Sequence, residues 1–217
     1  MSKKEAKIEE NNETKEMIKK KKVNLPNILT IVRIILVPIF VVLMALNNVW
    51  EYMKYIALGI FVVASITDYL DGIIARKKNL ITRFGKLMDP LADKILVAAG
   101  FIMLTGMDVI PAWVSFVVVG RDFLLNTIRM FGTEAGETIA AGISGKIKTA
   151  FQMLTIILGI IDTQGIFAFI KMGKVMEFGT LLLNVGFTLS LVFAVIFTIW
   201  SCIEYVVKYR KYIDITE

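Results

Sequence analysis

The chain lacks histidine altogether and contains a single cysteine, Cys202, among its 217 residues. One thiol cannot form an intramolecular disulfide, and it cannot supply the sets of cysteine and histidine ligands that zinc and iron–sulfur sites require. Proton transfer and metal binding therefore depend on carboxylates, which prefer hard ions such as Mg²⁺ or Mn²⁺.

Charged residues are also scarce, because they make up 20% of the chain whereas 56% of its residues are hydrophobic. The hydrophobic residues form six blocks, at about 28–46, 53–75, 86–105, 110–130, 147–168 and 179–206. Each block is close to the ~20 residues that a helix needs to cross the ~30 Å of hydrocarbon in a bilayer. We predict an all-α, polytopic membrane protein with six transmembrane helices, formed by residues 23–217 and preceded by a polar, basic tail at residues 1–22.

Basic residues predict the orientation of the chain, because short loops rich in lysine and arginine stay in the cytoplasm. They cluster at Lys19–Lys22, between Arg76 and Lys86, and near the C-terminus. We therefore expect a multi-pass protein of the cell membrane with both termini in the cytoplasm. The net charge of +6 comes with no nucleic-acid-binding motif, so membrane lipids rather than nucleic acids are the expected partners.

Four aspartates interrupt or border the second and third blocks: Asp68, Asp71, Asp89 and Asp93. The members of each pair are three or four residues apart, so each pair projects from one face of its helix. The short connection makes the two helices antiparallel neighbours whose aspartates face each other. Clustered carboxylates repel each other in a low-dielectric setting, which bound cations relieve. The pattern predicts a divalent-ion site at the cytoplasmic face, and two ions about 3.5–4 Å apart are a common device in phosphoryl transfer.

The complete pattern, D-x-x-D-G-x-x-A-R, eight residues, then G-x-x-x-D-x-x-x-D, resembles the signature of the CDP-alcohol phosphotransferases. Members of this family are six-helix membrane enzymes, often homodimers, in which an alcohol displaces CMP from a CDP-linked donor. The resemblance implies that Asp68, Asp71 and Asp89 hold a pair of Mg²⁺ or Mn²⁺ ions. Asp93 is implied to be a further ligand and the general base. The cytidine diphosphate pocket is implied to be lined by small and basic residues of the same motif, namely Gly72, Ala75, Arg76 and Gly85.

The opening segment, NLPNILTIVR at residues 24–33, resembles one bacterial subfamily of these enzymes. That subfamily transfers a phosphatidyl group from CDP-diacylglycerol to glycerol 3-phosphate, and the resemblance implies the same two substrates here. It also implies that Asn27, Thr30 and Arg33 lie close to the nucleotide.

Two further segments, GRDFLLNTIR at residues 120–129 and AGETIAAGISGKIKTAFQM at residues 135–153, resemble the acceptor side of the same subfamily. One departure is Asp122, where we expect glutamate; the shorter carboxylate can still orient Arg121. A dianionic phosphate needs a cationic cup, which we expect to be formed by Arg121, Arg129, Lys146 and Lys148. The alternative is that these basic residues only anchor the protein to lipid headgroups.

Three other functions stay open. A sister enzyme of the same family would use inositol phosphate, inositol or serine as the acceptor. A divalent-cation transporter would also have intramembrane aspartates, although a translocation path places them near the midplane of the membrane. A non-catalytic membrane scaffold would tolerate substitution of the aspartates.

An Asn79→Cys substitution in a Cys202→Ser background tests the predicted orientation. We expect this cysteine to resist membrane-impermeant thiol reagents in intact cells and to react in inverted vesicles, because the loop between Arg76 and Lys86 faces the cytoplasm. Lys171→Cys, near the opposite side, is the control and should show the reverse pattern. Labelling at position 79 in intact cells would overturn the orientation.

Overall fold

The computed structural model describes residues 25–47, 49–50, 52–78, 83–134, 143–161 and 178–209. Within these ranges the regular structure consists of six α-helices: α1 Leu25–Leu46, α2 Met53–Lys78, α3 Arg83–Gly106, α4 Ala112–Glu134, α5 Ile143–Ile161 and α6 Phe178–Tyr209. The all-α class is confirmed for this part of the chain. The predicted tail, residues 1–22, lies outside the described residues.

Within the described part of the chain, three helices contain stretches that are long and apolar enough to cross a membrane, at Ile28–Leu46, Ser144–Ile161 and Leu181–Val207. Among the described side chains, helix α2 contributes a further apolar stretch, Met53–Thr67. Large hydrophobic side chains such as Phe116, at 78% exposure, cover the outer surface. An apolar exterior of this kind suits a lipid environment. The chain is therefore a helical membrane protein, and the six crossings stay a prediction.

The helix bounds agree with the hydrophobic blocks to within a few residues where both are described. The fifth block was predicted to extend to residue 168; α5 is described as far as Ile161, and residues 162–177 lie outside the described residues. The turn after α3 explains why that helix ends where it does. Asp108 adopts a left-handed conformation, with φ of 58°, and the amide of Val109 donates to the carbonyl of Leu104 over 3.0 Å. This arrangement satisfies a carbonyl at the end of α3.

Helix packing brings the motif helices against the C-terminal half of the chain. Helix α1 packs on α2 and α3, α2 also contacts α3 and α5, and α4 lies against α3 and α6. Helices α5 and α6 pack along each other, and α5 also contacts α3. The core between the helices is filled by side chains that are completely buried, including Phe40, Phe61, Phe101, Ile156 and Phe187. The predicted contact between α2 and α3 is confirmed.

Gly159 tests how tightly α5 is packed. A β-carbon at this position would lie 2.9 Å from Leu104 Cδ1 and 3.0 Å from Phe187 Cε2, and both of these side chains are fully buried. Gly159→Ala should therefore lower the free energy of unfolding by about 1–3 kcal/mol through overpacking. Thermal unfolding of the detergent-purified protein measures the change. Gly59→Ala is the matched control, because no atom lies within 4 Å of its added carbon; equal stability of the two variants would contradict the prediction.

Candidate active site

The four aspartates of the motif lie on two helices that contact each other. Helix α2 contains Asp68 and Asp71, and α3 contains Asp89 and Asp93. Because both segments are helical, spacings of three and four residues place each pair on one face. The motif residues whose side chains lie outside the described residues are Asp68, Asp71, Gly72, Ala75, Arg76, Gly85 and Asp89, and the same holds for Asn27 and Arg129.

Asp93 is the motif aspartate whose surroundings the structure describes. Its half-buried carboxylate interacts electrostatically with Arg33 from α1, with Asp122 from α4 and with Lys148 from α5. Arg33 is completely buried, as is Thr30 one turn earlier on the same helix. The structure therefore places two predicted nucleotide-binding residues in the interior, with Arg33 within electrostatic range of Asp93.

A second carboxylate, that of the buried Asp122, binds two basic side chains. Asp122 Oδ1 accepts a hydrogen bond from Arg121 Nη1 over 2.8 Å, and the same oxygen forms an ion pair with Lys148 Nζ. The lysine side chain is only 3% exposed, and the other two are 13% and 10% exposed. We call these three residues the Asp122 cluster; it has two cations and one anion. Asp122 thus orients Arg121, as predicted, and it also holds Lys148.

A serine from the last helix completes the surroundings of Arg121. Arg121 Nη2 donates a hydrogen bond to Ser201 Oγ over 2.6 Å, and Ser201 Oγ donates to the carbonyl oxygen of Thr198 over 3.2 Å. The Nε atom of Arg121 is buried without a hydrogen-bond partner among the described residues. Helices α4 and α6 are therefore joined at the position of this arginine.

The polar face of α5 continues beyond the Asp122 cluster toward the C-terminal end of the helix. Lys148, Gln152 and Thr155 are four and three residues apart, so they lie along one side of the helix. Gln152 Nε2 donates to Thr198 Oγ1 over 3.5 Å, and Thr155 Oγ1 donates to Ser190 Oγ over 3.1 Å. These hydrogen bonds join α5 to α6, and they satisfy polar groups that would be costly to bury alone.

The predicted acceptor residues do not all lie together. Arg121 and Lys148 meet at Asp122, whereas the side chain of Lys146 is exposed. Residues two apart on a helix point in nearly opposite directions, so the two lysines occupy different environments. The structure thus brings Arg121 and Lys148 together at one place, and the acceptor role of all four basic residues stays a prediction.

Sequence reasoning did not single out Ser201, and it assigned Asp122 only to Arg121. A signal was present, because Ser190, Thr198 and Ser201 place hydroxyl groups at near-helical intervals in an otherwise apolar block. This spacing indicates a polar stripe on α6. It does not show which side chain on another helix each hydroxyl meets.

The predicted metal ligands fit a hard divalent ion by their chemistry, because all four are carboxylates. Only Asp93 of this set has a described side chain, and the described residues contain no group of three or more His, Cys, Asp or Glu side chains that could hold an ion. The metal site therefore stays a prediction based on the helical spacing of the motif.

Comparison with known proteins covers most of the chain. A family profile described as CDP-alcohol phosphatidyltransferase matches residues 23–206. The CDP-diacylglycerol–glycerol-3-phosphate 3-phosphatidyltransferase of Bacillus subtilis (strain 168) is 42% identical over 61% of this chain and 74% of its own length. Proteins with the same description from Rickettsia typhi and Pseudomonas fluorescens are 39% and 31% identical; the alignments cover 65% and 84% of this chain and 79% and 88% of those proteins.

Removing the charge of Asp122 tests the role of the Asp122 cluster in stability. Asp122→Asn leaves Lys148 buried without its counter-charge, so we expect a loss of about 3–5 kcal/mol in the free energy of unfolding. Asp122→Asn combined with Lys148→Met should recover part of this loss, because the unpaired ammonium is gone. Thermal unfolding of the purified variants measures both effects. Wild-type stability of Asp122→Asn would contradict the prediction.

Proposed function

Because the chain belongs to the CDP-alcohol phosphatidyltransferase family, we propose that it transfers the phosphatidyl group of CDP-diacylglycerol to glycerol 3-phosphate, giving phosphatidylglycerophosphate and CMP. The names of the relatives, at 31–42% identity, support these two substrates. The observation that carries the proposal is the position of Asp93, whose carboxylate interacts electrostatically with Arg33 and with two members of the Asp122 cluster. This candidate base is thus within electrostatic range of one predicted donor residue, Arg33, and of one predicted acceptor residue, Lys148.

The donor is bound, in this proposal, by the helices of the aspartate motif and by α1. The diphosphate lies beside Asp68, Asp71, Asp89 and Asp93, which would hold a pair of Mg²⁺ or Mn²⁺ ions. Such ions, when bound, neutralise the negative charge of the diphosphate and of the leaving CMP. Arg76 provides a planar fork for phosphate oxygens. Nucleotide contacts are assigned to the remaining predicted donor residues: Asn27, Thr30, Arg33, Gly72, Ala75 and Gly85.

Asp93 is assigned the role of general base. Its carboxylate takes the proton from the attacking hydroxyl of glycerol 3-phosphate, whose oxygen then forms a bond to the phosphorus attached to diacylglycerol. The bond between that phosphorus and the oxygen that bridges to the CMP phosphate breaks, and CMP leaves. One phosphate ester is formed and one phosphoanhydride bond is broken, and the hydroxyl proton stays on Asp93 until it is released.

The acceptor's phosphate is assigned to the basic residues of the Asp122 cluster. Arg121 and Lys148 are both largely buried and already share one carboxylate. A dianionic phosphate suits such a site, because charge-assisted hydrogen bonds to a buried guanidinium and ammonium are strong. Inositol and serine have no phosphate to fill it. Arg129 is assigned an outer position around the same phosphate, whereas the exposed Lys146 is left out of this site because it points away from Lys148.

The membrane topology of the enzyme is inferred from the distribution of its basic residues. We propose six membrane crossings, with both termini and the active site at the cytoplasmic face of the cell membrane. By resemblance to the family, we also propose that the enzyme works as a homodimer. Membership of a transferase family disfavours the transporter and the scaffold considered above.

Release of CMP by the purified full-length chain tests the proposed function. With CDP-diacylglycerol and Mg²⁺ or Mn²⁺, we expect CMP release with glycerol 3-phosphate and little with inositol phosphate, inositol or serine. Because the only predicted metal ligands are carboxylates, EDTA should abolish the reaction and either ion should restore it. Full turnover without a divalent ion would disprove the metal site. Equal CMP release with another acceptor would change the substrate.

Asp93→Asn tests the assignment of the base. This variant should lose a factor of about 10²–10⁴ in kcat, which is typical of an acid–base group, and should still bind CDP-diacylglycerol. Asp89→Asn, one turn away on the same helix, is the matched comparison and should also weaken metal-dependent binding of the donor. Turnover near the wild-type rate in Asp93→Asn would remove the proposed base.

A further inference from the structure

The guanidinium group of Arg121 is held at two of its nitrogen atoms. Nη1 donates to Asp122 on the same helix, and Nη2 donates over 2.6 Å to Ser201 on α6, 80 residues later in the chain. Because the group is planar and rigid, contacts at both terminal nitrogens fix the orientation of its plane. Asp122 alone would leave the group free to turn about a single hydrogen bond.

Ser201 acts as a fixed acceptor in this arrangement. Its hydroxyl proton is donated to the carbonyl oxygen of Thr198, so a lone pair of Oγ is directed to the arginine. Arginine has donors only, which agrees with this direction. The serine is 4% exposed, so water does not compete for its oxygen to a large extent.

The guanidinium keeps donors for a ligand after both contacts are made. Of its five N–H groups, one is used by Asp122 and one by Ser201. The Nε atom is buried, so the donors left for a ligand are the second N–H groups of Nη1 and Nη2, on a side chain that is 13% exposed. A tetrahedral phosphate, with several acceptor oxygens, matches a guanidinium that is held in place in this way.

We propose that Ser201 is a positioning residue for the acceptor: it fixes the plane of Arg121 so that this arginine can bind the acceptor's phosphate. This inference rests on the proposed function and extends it to α6, to which the predicted site had assigned no residue. The phosphate of glycerol 3-phosphate does not change its charge during the reaction. Its contact with Arg121 therefore contributes equally to substrate binding and to the transition state, and its loss raises KM without lowering kcat.

Ser201→Ala compared with Ser190→Ala provides the test. Both serines lie on α6, both are buried, and each donates to a carbonyl three residues earlier. They differ in the partner on the neighbouring helix, because Ser190 accepts from Thr155 whereas Ser201 accepts from Arg121. Steady-state CMP release is measured with each substrate varied in turn, together with the thermal stability of each variant.

We expect Ser201→Ala to raise the KM for glycerol 3-phosphate by about three- to tenfold, the range for loss of one hydrogen bond. Its kcat and its KM for CDP-diacylglycerol should stay within about twofold of wild type, as should all constants of Ser190→Ala. An equal change in both variants, or a loss of kcat alone, would overturn the inference, since a purely structural contact predicts such results.

A second variant and a double variant separate positioning from folding. Ser201→Cys keeps the side chain's approximate size but replaces the oxygen with a weak acceptor, so it should raise the same KM even if the alanine variant does not fold. In an Arg121→Gln background, Ser201→Ala should cause no further rise, because the serine acts through the arginine. An unchanged KM in Ser201→Cys, or additive effects in the double variant, would overturn the inference.

The experiments distinguish an error in the proposed function from an error in the role of Ser201. If the wild-type chain releases no CMP with glycerol 3-phosphate, the substrate assignment is wrong and the positioning role fails with it. If the wild type is active and Ser201→Ala behaves like Ser190→Ala, only the role of Ser201 is wrong.

Discussion

One carboxylate, buried between two cations, joins the parts of the candidate site. Asp122 Oδ1 contacts both Arg121 and Lys148, so it connects α4 to α5. Ser201 extends the connection to α6 through Arg121. Asp93 on α3 lies within electrostatic range of the same carboxylate. Four of the six described helices therefore meet at one small group of charged and polar side chains.

Burying these charges is costly, and the arrangement reduces the cost. An isolated ion in a low-dielectric interior loses its hydration, and its removal from water is offset only by close partners and hydrogen bonds. The Asp122 cluster has one anion for two cations, so it keeps one excess positive charge. An anionic ligand can balance that charge. A site that binds a phosphate needs an excess of positive charge, so the protein's own carboxylates cannot neutralise all of its buried cations.

The same constraint distinguishes the two halves of the proposed active site. The motif of α2 and α3 has four aspartates and needs cations, whereas the Asp122 cluster is positive and needs an anion. Asp93 belongs to the motif and interacts electrostatically with Asp122 and Lys148 of the cluster. This opposition suits a reaction between two negatively charged substrates. Metal ions would compensate the donor, and buried basic side chains would compensate the acceptor, so the substrates can approach despite their charges.

The sequence by itself determined the helical class, the approximate bounds of the helices and the family. These features depend on local patterns: apolar blocks about as long as a bilayer is thick, and aspartates at helical spacing beside glycine and arginine. It also predicted, from the resemblance of the segment at residues 120–129, that Asp122 orients Arg121.

Only the tertiary structure decided which of the basic residues lie together. Lys146 and Lys148 are equivalent in the sequence pattern, yet the first is exposed and the second is buried against Asp122. Ser201 is one of several hydroxyl residues in an apolar block until α6 packs on α4 and places it 2.6 Å from Arg121. The physical reason is that helical periodicity fixes which residues share a face, whereas the partner of that face depends on helix packing between residues far apart in the chain.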